Sequence, residues 1–180
     1  MKVFEIIKQS DDFKYFANAK DVPHSILLSS KDEQYAFDMA KLLAIQILDG
    51  KVEEDSEIFK KVMAFSHPDV RYYPSKNQLL VADSEEIVSE SFVKPVFSKS
   101  KIFIIKNIDN SMESAQNKLL KTLEEPSKDV YLILTSQNPA LVLPTIKSRC
   151  VKRDLAKLND QQIEHVLNRD IPLAVKLADD

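Results

Sequence analysis

Apolar side chains at Phe4, Ile7, Phe13 and Phe16 recur mostly three or four positions apart within two short stretches. That spacing places them on one helical face, so the chain is predicted to open with one interrupted or two successive amphipathic helices. Ser25-Ile26-Leu27-Leu28-Ser29 is a short apolar run of strand type, and residues 33–48 then carry Tyr35, Phe37, Met39, Ala40, Leu43, Ala44 and Ile47 at helical spacing. The reading is strand, loop, helix. Five acids and one lysine occupy residues 49–57, which suits a solvated loop. A short helix over 58–65 and a strand at Val70-Arg71-Tyr72-Tyr73, ahead of Pro74, follow.

Residues 84–97 read as a helix broken near Pro95. In Lys101-Ile102-Phe103-Ile104-Ile105-Lys106, four β-branched or aromatic residues lie between lysines, the pattern of a strand buried on both faces. Asn110 is spaced to cap the next helix with Glu113 three residues on; Met112, Ala115, Leu119, Leu120 and Leu123 form its apolar stripe and Pro126 its stop. Val130-Tyr131-Leu132-Ile133-Leu134-Thr135 is a second buried-type strand, Pro139 and Pro144 punctuate a loop or short helix, and Val151 begins a last short strand. Strands alternating with helices predict an α/β fold, a parallel sheet covered on both faces. Residues 159–167 read as one more helix and 171–178 as a short apolar piece, together the start of a second, helical unit.

Composition narrows the chemistry. The 180 residues suffice for one sizeable core, and 25 Lys and Arg against 28 Asp and Glu leave a net charge of −3, so attraction to nucleic acid must come from local patches. The chain has one glycine, Gly50, where average usage of ~7% would supply about a dozen. A dinucleotide fingerprint, a Walker A loop and a nucleophile elbow are excluded, since each needs backbone that glycine supplies. A single cysteine, Cys150, cannot form an internal disulfide, and no run of ~18 apolar residues is present. With an amino terminus that lacks the apolar core of a signal peptide, the expectation is a cytoplasmic protein with no membrane association.

Few residues make a chemical constellation. His24, His67 and His165 are scattered and have no metal-ligand spacing, so no metal is expected. Asp69, after His67-Pro68, reads as a turn residue entering a strand. Glu124 and Glu125 precede Pro126; adjacent helical residues diverge by about 100°, which favours a surface or interdomain contact over a shared acid-base site. Two basic clusters run without an intervening acid, Lys94, Lys99, Lys101 and Lys106, then Lys147, Arg149, Lys152 and Arg153. The second follows a buried-type strand and a proline-bounded connection. This places Arg149 near a sheet edge, where a guanidinium, always charged and forked, can reach a phosphate on another molecule.

Asn117-Lys118-Leu119-Leu120-Lys121-Thr122-Leu123-Glu124-Glu125-Pro126 and Leu143-Pro144-Thr145-Ile146-Lys147-Ser148-Arg149-Cys150 together resemble a highly specific motif pair of bacterial clamp-loader subunits of the AAA+ superfamily. Pro23-His24-Ser25-Ile26-Leu27-Leu28 and His67-Pro68-Asp69-Val70 fall where that family has similar segments, so the resemblance covers about residues 3–156. It implies a three-layer AAA+-like α/β domain over residues 1–156, a partial helical lid over 157–180, and no collar domain within the chain. The family's helix alignment puts Ala36 at the P-loop lysine and Phe37 at the magnesium-binding Ser or Thr, while Lys106 and Asn107 stand at the two Walker B acids. A cation there opposes Mg²⁺. Where relatives carry a four-cysteine zinc module, residues 48–65 contain no cysteine, and no zinc is expected.

The resemblance therefore implies a nucleotide-site-deficient subunit of the DNA polymerase III clamp loader. Arg149 would act in trans as an arginine finger, with Ser148 and Cys150 shaping its loop. No cofactor is expected in this chain, ATP and Mg²⁺ being held by a neighbour. The implied partners are gamma/tau-type ATPase subunits, the delta subunit, the sliding clamp indirectly and primed DNA within the complex. Two other readings stay open at this stage: an NTPase with an irregular site around residues 29–37, and a stand-alone DNA-binding module using the two basic clusters.

Overall fold

The computed structural model describes residues 2–75 and 77–156. The helix and apolar piece predicted beyond residue 156, and with them the partial lid and His165, lie outside the described residues. The opening apolar positions form two helices, α1 (Lys2–Gln9) and α2 (Asp11–Ala17), separated where the Ser10 hydroxyl accepts the Phe13 N–H and starts a new turn. Strand β1 (Ser25–Ser29) leads to α3 (Glu33–Asp49), and α4 (Glu57–Met63) precedes β2 (Val70–Tyr73). Then come α5 (Val81–Glu90), β3 (Lys101–Ile105), α6 (Glu113–Glu124), β4 (Val130–Ser136), α7 (Pro144–Lys147) and β5 (Val151–Asp154). The sole glycine closes α3: Gly50 sits at φ +74 and donates its N–H to the Gln46 carbonyl, a left-handed cap that other residues adopt at a cost.

The five strands are all parallel in the order β2-β3-β4-β1-β5. Their side chains alternate between two cores. Ile26, Leu28, Ile102, Ile104 and Ile133 pack beneath α1 to α4, whereas Leu27, Phe103, Ile105, Leu132 and Leu134 pack with residues of α5, α6 and α7. This is the three-layer α/β arrangement read from the sequence. Helix α3 is buried continuously from Tyr35 to Ile45, as a helix lined by apolar residues nearly all round should be. Its one buried cation, Lys41, is neutralised by Asp38 at 2.7 Å and lies 4.9 Å from the Phe37 ring centre.

Two predicted boundaries are corrected. Helix α5 ends at Glu90 rather than reaching residue 97, and beyond it Asp69, just before β2, accepts the backbone N–H groups of residues 96–98. Asn110 does not cap α6. Asn107 adopts φ +49 and starts a 3-10 turn, Ile108–Asn110, which moves the helix entrance to Met112; the Asn110 amide instead donates to the Asn77 carbonyl. Among the described residues no helix is long and apolar enough to cross a membrane.

Candidate functional site

Arg149 stands on a corner between α7 and β5, beside the C-terminal end of α6. The corner is rigid for local reasons. Pro144 at the first turn of α7 has its φ preset and no N–H to satisfy, and Ile146 is fully buried. The buried Gln116 amide ties the entrance of α7 to α6, its Oε1 accepting the Leu143 N–H at 2.9 Å and its Nε2 donating to the Ser111 carbonyl at 3.2 Å. Ser148 donates its hydroxyl to the Thr145 carbonyl at 3.0 Å, and the Arg149 N–H donates to the Ile146 carbonyl. Cys150 turns inward and is 8% exposed. The triplet thus anchors one side chain in the core and sends the next one outward.

The guanidinium is held from two sides. Its Nε and Nη2 donate to one oxygen of Glu124, Oε2, at 3.1 and 3.0 Å, and Nη1 donates to the Thr145 carbonyl at 3.0 Å. Arg149 keeps 29% of its side-chain surface accessible. Glu124, read from sequence as a surface or interdomain contact, makes an intrachain ion pair across 25 residues, while Glu125 is the exposed C-cap of α6.

At the opposite ends of the strands, the connection from β1 to α3 is only residues 30–32. Asp32 caps α3 with its own carboxylate, Oδ1 accepting the Tyr35 N–H at 2.9 Å. The residues aligned with the P-loop lysine and its neighbour, Ala36 and Phe37, are already helical and 1% and 6% exposed. Lys106 follows β3 and pairs with Glu33 at 3.0 Å, its ammonium 4.5 Å from the Phe37 ring centre. The Glu33 carboxyl is held below its usual range, first by the hydrogen bond from Lys106 and against the opposing effect of burial. Gln137 donates to the other Glu33 oxygen at 2.9 Å. A neighbouring recess of about 360 Å³ is lined by residues including Ser30, Lys31, Tyr35, Gln137 and Leu155. Among the described residues, no group of three His, Cys, Asp or Glu is arranged to hold a metal.

Residues 7–159 match the protein family described as DNA polymerase III, delta subunit. The chain belongs to that family. It is 30% identical over 154 residues to the DNA polymerase III subunit delta' of Bacillus subtilis, a match covering 82% of this chain and 47% of the relative. Identity to the delta' subunit of Buchnera aphidicola subsp. Baizongia pistaciae is 29% over 163 residues, or 82% of this chain and 48% of that one. The tau/gamma subunit of Haemophilus influenzae is 34% identical over 107 residues, 54% of this chain and 16% of the relative. The chain spans about half the length of the delta' relatives. In fold it superposes on a DNA polymerase III gamma subunit-related protein from Thermotoga maritima with a TM-score of 0.61 at 20% identity, covering 89% of this chain and 46% of the other. These matches make it a delta'-type subunit with an AAA+-like α/β domain.

In this delta'-type chain, the first basic cluster is not a continuous cationic surface. Lys101 is 3% exposed and donates to the Glu90 carboxylate at 2.6 Å and carbonyl at 3.0 Å, and Lys106 belongs to Glu33. Of the second cluster, Arg153 pairs with the buried Asp12 at 2.6 Å and Lys147 donates to the Pro139 carbonyl. His24 is structural: Nδ1 donates to the Val130 carbonyl at 2.7 Å and the ring stacks on Tyr131. Asp69 does more than enter a strand. Its two oxygens accept the N–H groups of Val96, Phe97 and Ser98 at 2.6 to 2.7 Å, and its own N–H donates to His67 Nδ1. That leaves the ring proton on Nε2, facing Ser98 Oγ at 3.3 Å. Burial pushes the His67 ring below its usual value, favouring this neutral form.

Burial also pushes the Cys150 thiol up to about 12, so its thiolate is scarce at neutral pH. Native protein at pH 8 is expected to react with iodoacetamide at least about a hundredfold more slowly than the urea-unfolded chain, with its free thiol near pKa 8.5. Mass spectrometry of timed aliquots reads this; equal rates would mean that the thiol is open to solvent.

Proposed function

We propose that this chain is a clamp-loader subunit that does not itself hydrolyse ATP and that presents Arg149 to the γ-phosphate of ATP held by a neighbouring gamma/tau-type subunit. The observation that carries the reading is the accessible Arg149 guanidinium on a corner whose backbone is locked by Pro144, Ile146 and Gln116. Phosphoryl transfer asks little covalent chemistry of a protein and much positioned charge. In this role Ser148 and Cys150 shape the loop, the former through Thr145 and the latter through the core. ATP and Mg²⁺ belong to the neighbour. The delta subunit, the sliding clamp and primed DNA are partners of the assembled complex, which works in the cytoplasm.

The start of α3 supports the non-hydrolysing half of the reading. A P-loop must leave its backbone N–H groups open around phosphate. Here the helix begins at Glu33, Asp32 takes up the Tyr35 amide, and Phe37 and Lys106 occupy the ground beside it. Titration of the isolated chain with Mg²⁺-ATP is expected to show no saturable binding below ~1 mM; tight, Mg²⁺-dependent heat would restore the NTPase reading. The test of the trans role combines Arg149→Ala chain with ATPase partner, clamp and primed DNA, and reads ATP turnover. Unchanged turnover in an intact complex overturns it.

A further inference from the structure

A guanidinium carries five N–H donors. In Arg149 three are used: the side-on pair, Nε and Nη2, by Glu124 Oε2, and one Nη1 hydrogen by the Thr145 carbonyl. The two that remain belong one each to Nη1 and Nη2. The one on Nη2 lies on the end-on edge of the guanidinium, away from Glu124, where it can be donated to a phosphate oxygen. Arg149 therefore does not have to release Glu124 in order to bind an anion.

From this geometry we infer that Glu124 is the positioning residue for Arg149, holding the guanidinium by its side edge and leaving the end-on Nη2 hydrogen available before any phosphate arrives. The inference rests on the trans-acting role proposed above and adds to it a residue from a different helix. Glu124 suits the task for three reasons. It occupies the last turn of α6, whose Leu119 and Leu123 are buried in the core, so its Cα is fixed. Its side chain is 58% accessible, so it incurs little desolvation and draws little charge from a guanidinium it meets partly in water. It also uses one oxygen for both contacts, leaving Oε1 free of Arg149. An arginine loose on a surface explores many rotamers, and confining it before binding removes that entropy from the catalytic step.

The test uses the chain assembled with its ATPase neighbour, clamp and primed DNA. Glu124→Ala is expected to lower kcat at the completed site about tenfold with the neighbour's ATP affinity unchanged, the loss of one charge-assisted orienting contact. Glu124→Gln, which keeps an acceptor oxygen in the same place, should recover a large part of that loss. The double variant Glu124→Ala/Arg149→Ala should match Arg149→Ala alone. A kcat unaffected by Glu124→Ala while Arg149→Ala lowers it, or full additivity in the double variant, overturns the inference. If Glu124→Ala fails to fold, Glu124→Leu, which removes the acceptor and keeps the bulk, carries the same comparison. Should Arg149→Ala itself leave turnover unchanged, the trans-acting reading falls, and the positioning is then judged on the isolated chain by NMR. There the Arg149 Nε–H signal should exchange slowly in the wild type and be lost in Glu124→Ala; identical signals in both would refute it.

Discussion

Replacing Arg149 by alanine is expected to lower ATP turnover at the neighbouring site by roughly 10³-fold, the lower end of what arginine fingers contribute, while the complex still assembles. The two outcomes separate because the side chain contributes little to the fold. Its pair with Glu124 is accessible on both sides, 29% and 58%, and such surface pairs are worth about 0 to 1 kcal/mol. The melting temperature should therefore move by no more than a few degrees. In the proposed role chemistry loses much more, because there the guanidinium would supply charge at the point where it develops on the transferred phosphoryl group. Arg149→Lys should keep most of the defect: an ammonium preserves the charge but has no planar fork to bridge Glu124 and a phosphate together. Steady-state turnover of the assembled complex, with assembly checked by gel filtration, measures both variants.

Asp69→Ala is expected to destabilise the fold by roughly 2–4 kcal/mol, with a melting temperature lower by roughly 5–15 °C. Asp69 is 1% exposed and gathers the amides of Val96, Phe97 and Ser98, which holds residues 96–98 against the start of β2. Alanine leaves those donors without their acceptor and a void below them. Burial acts to raise the Asp69 carboxyl, but the amides of Val96, Ser98 and Phe97, helped by His67, outweigh it and the net shift is downward from 3.8. The sign follows from linkage. A carboxyl with a depressed folded-state pKa stabilises the protein fully above its unfolded value near 3.9, and that contribution is lost as pH falls through the folded value. Wild-type stability should accordingly drop in acid below about pH 4, and the Ala variant should lack this part of the acid transition. Thermal melts at pH 7 and pH 3 test it; equal pH dependence in both proteins would show that Asp69 is not the titrating anchor.

Much of the architecture was legible because the core positions repeat. The run Ile102-Phe103-Ile104-Ile105 reads as a strand buried on both faces, and its alternate residues do enter opposite cores. The anchoring of residues 96–98 was not legible, since the carboxylate that holds them, Asp69, lies more than twenty residues earlier in the chain. Lys101 shows the same limit. In the sequence it extends a basic cluster; in the fold it is buried against Glu90, eleven positions away on α5, and contributes no exposed charge.

The corner bearing Arg149 divides in the same way. Residue order alone says which groups are available: an always-charged side chain after a proline-started turn, a helix ending before Pro126, and no glycine to cradle a phosphate at the start of α3. These follow from residue chemistry and short-range periodicity, which need no knowledge of distant neighbours. That Glu124 meets Arg149 by its side edge, that Asp69 staples residues 96–98, and that Lys106 turns to Glu33 are visible in the folded chain and not before. Such pairings depend on where parallel strands bring helix ends and loops together, and that arrangement is set by burying two apolar faces at once.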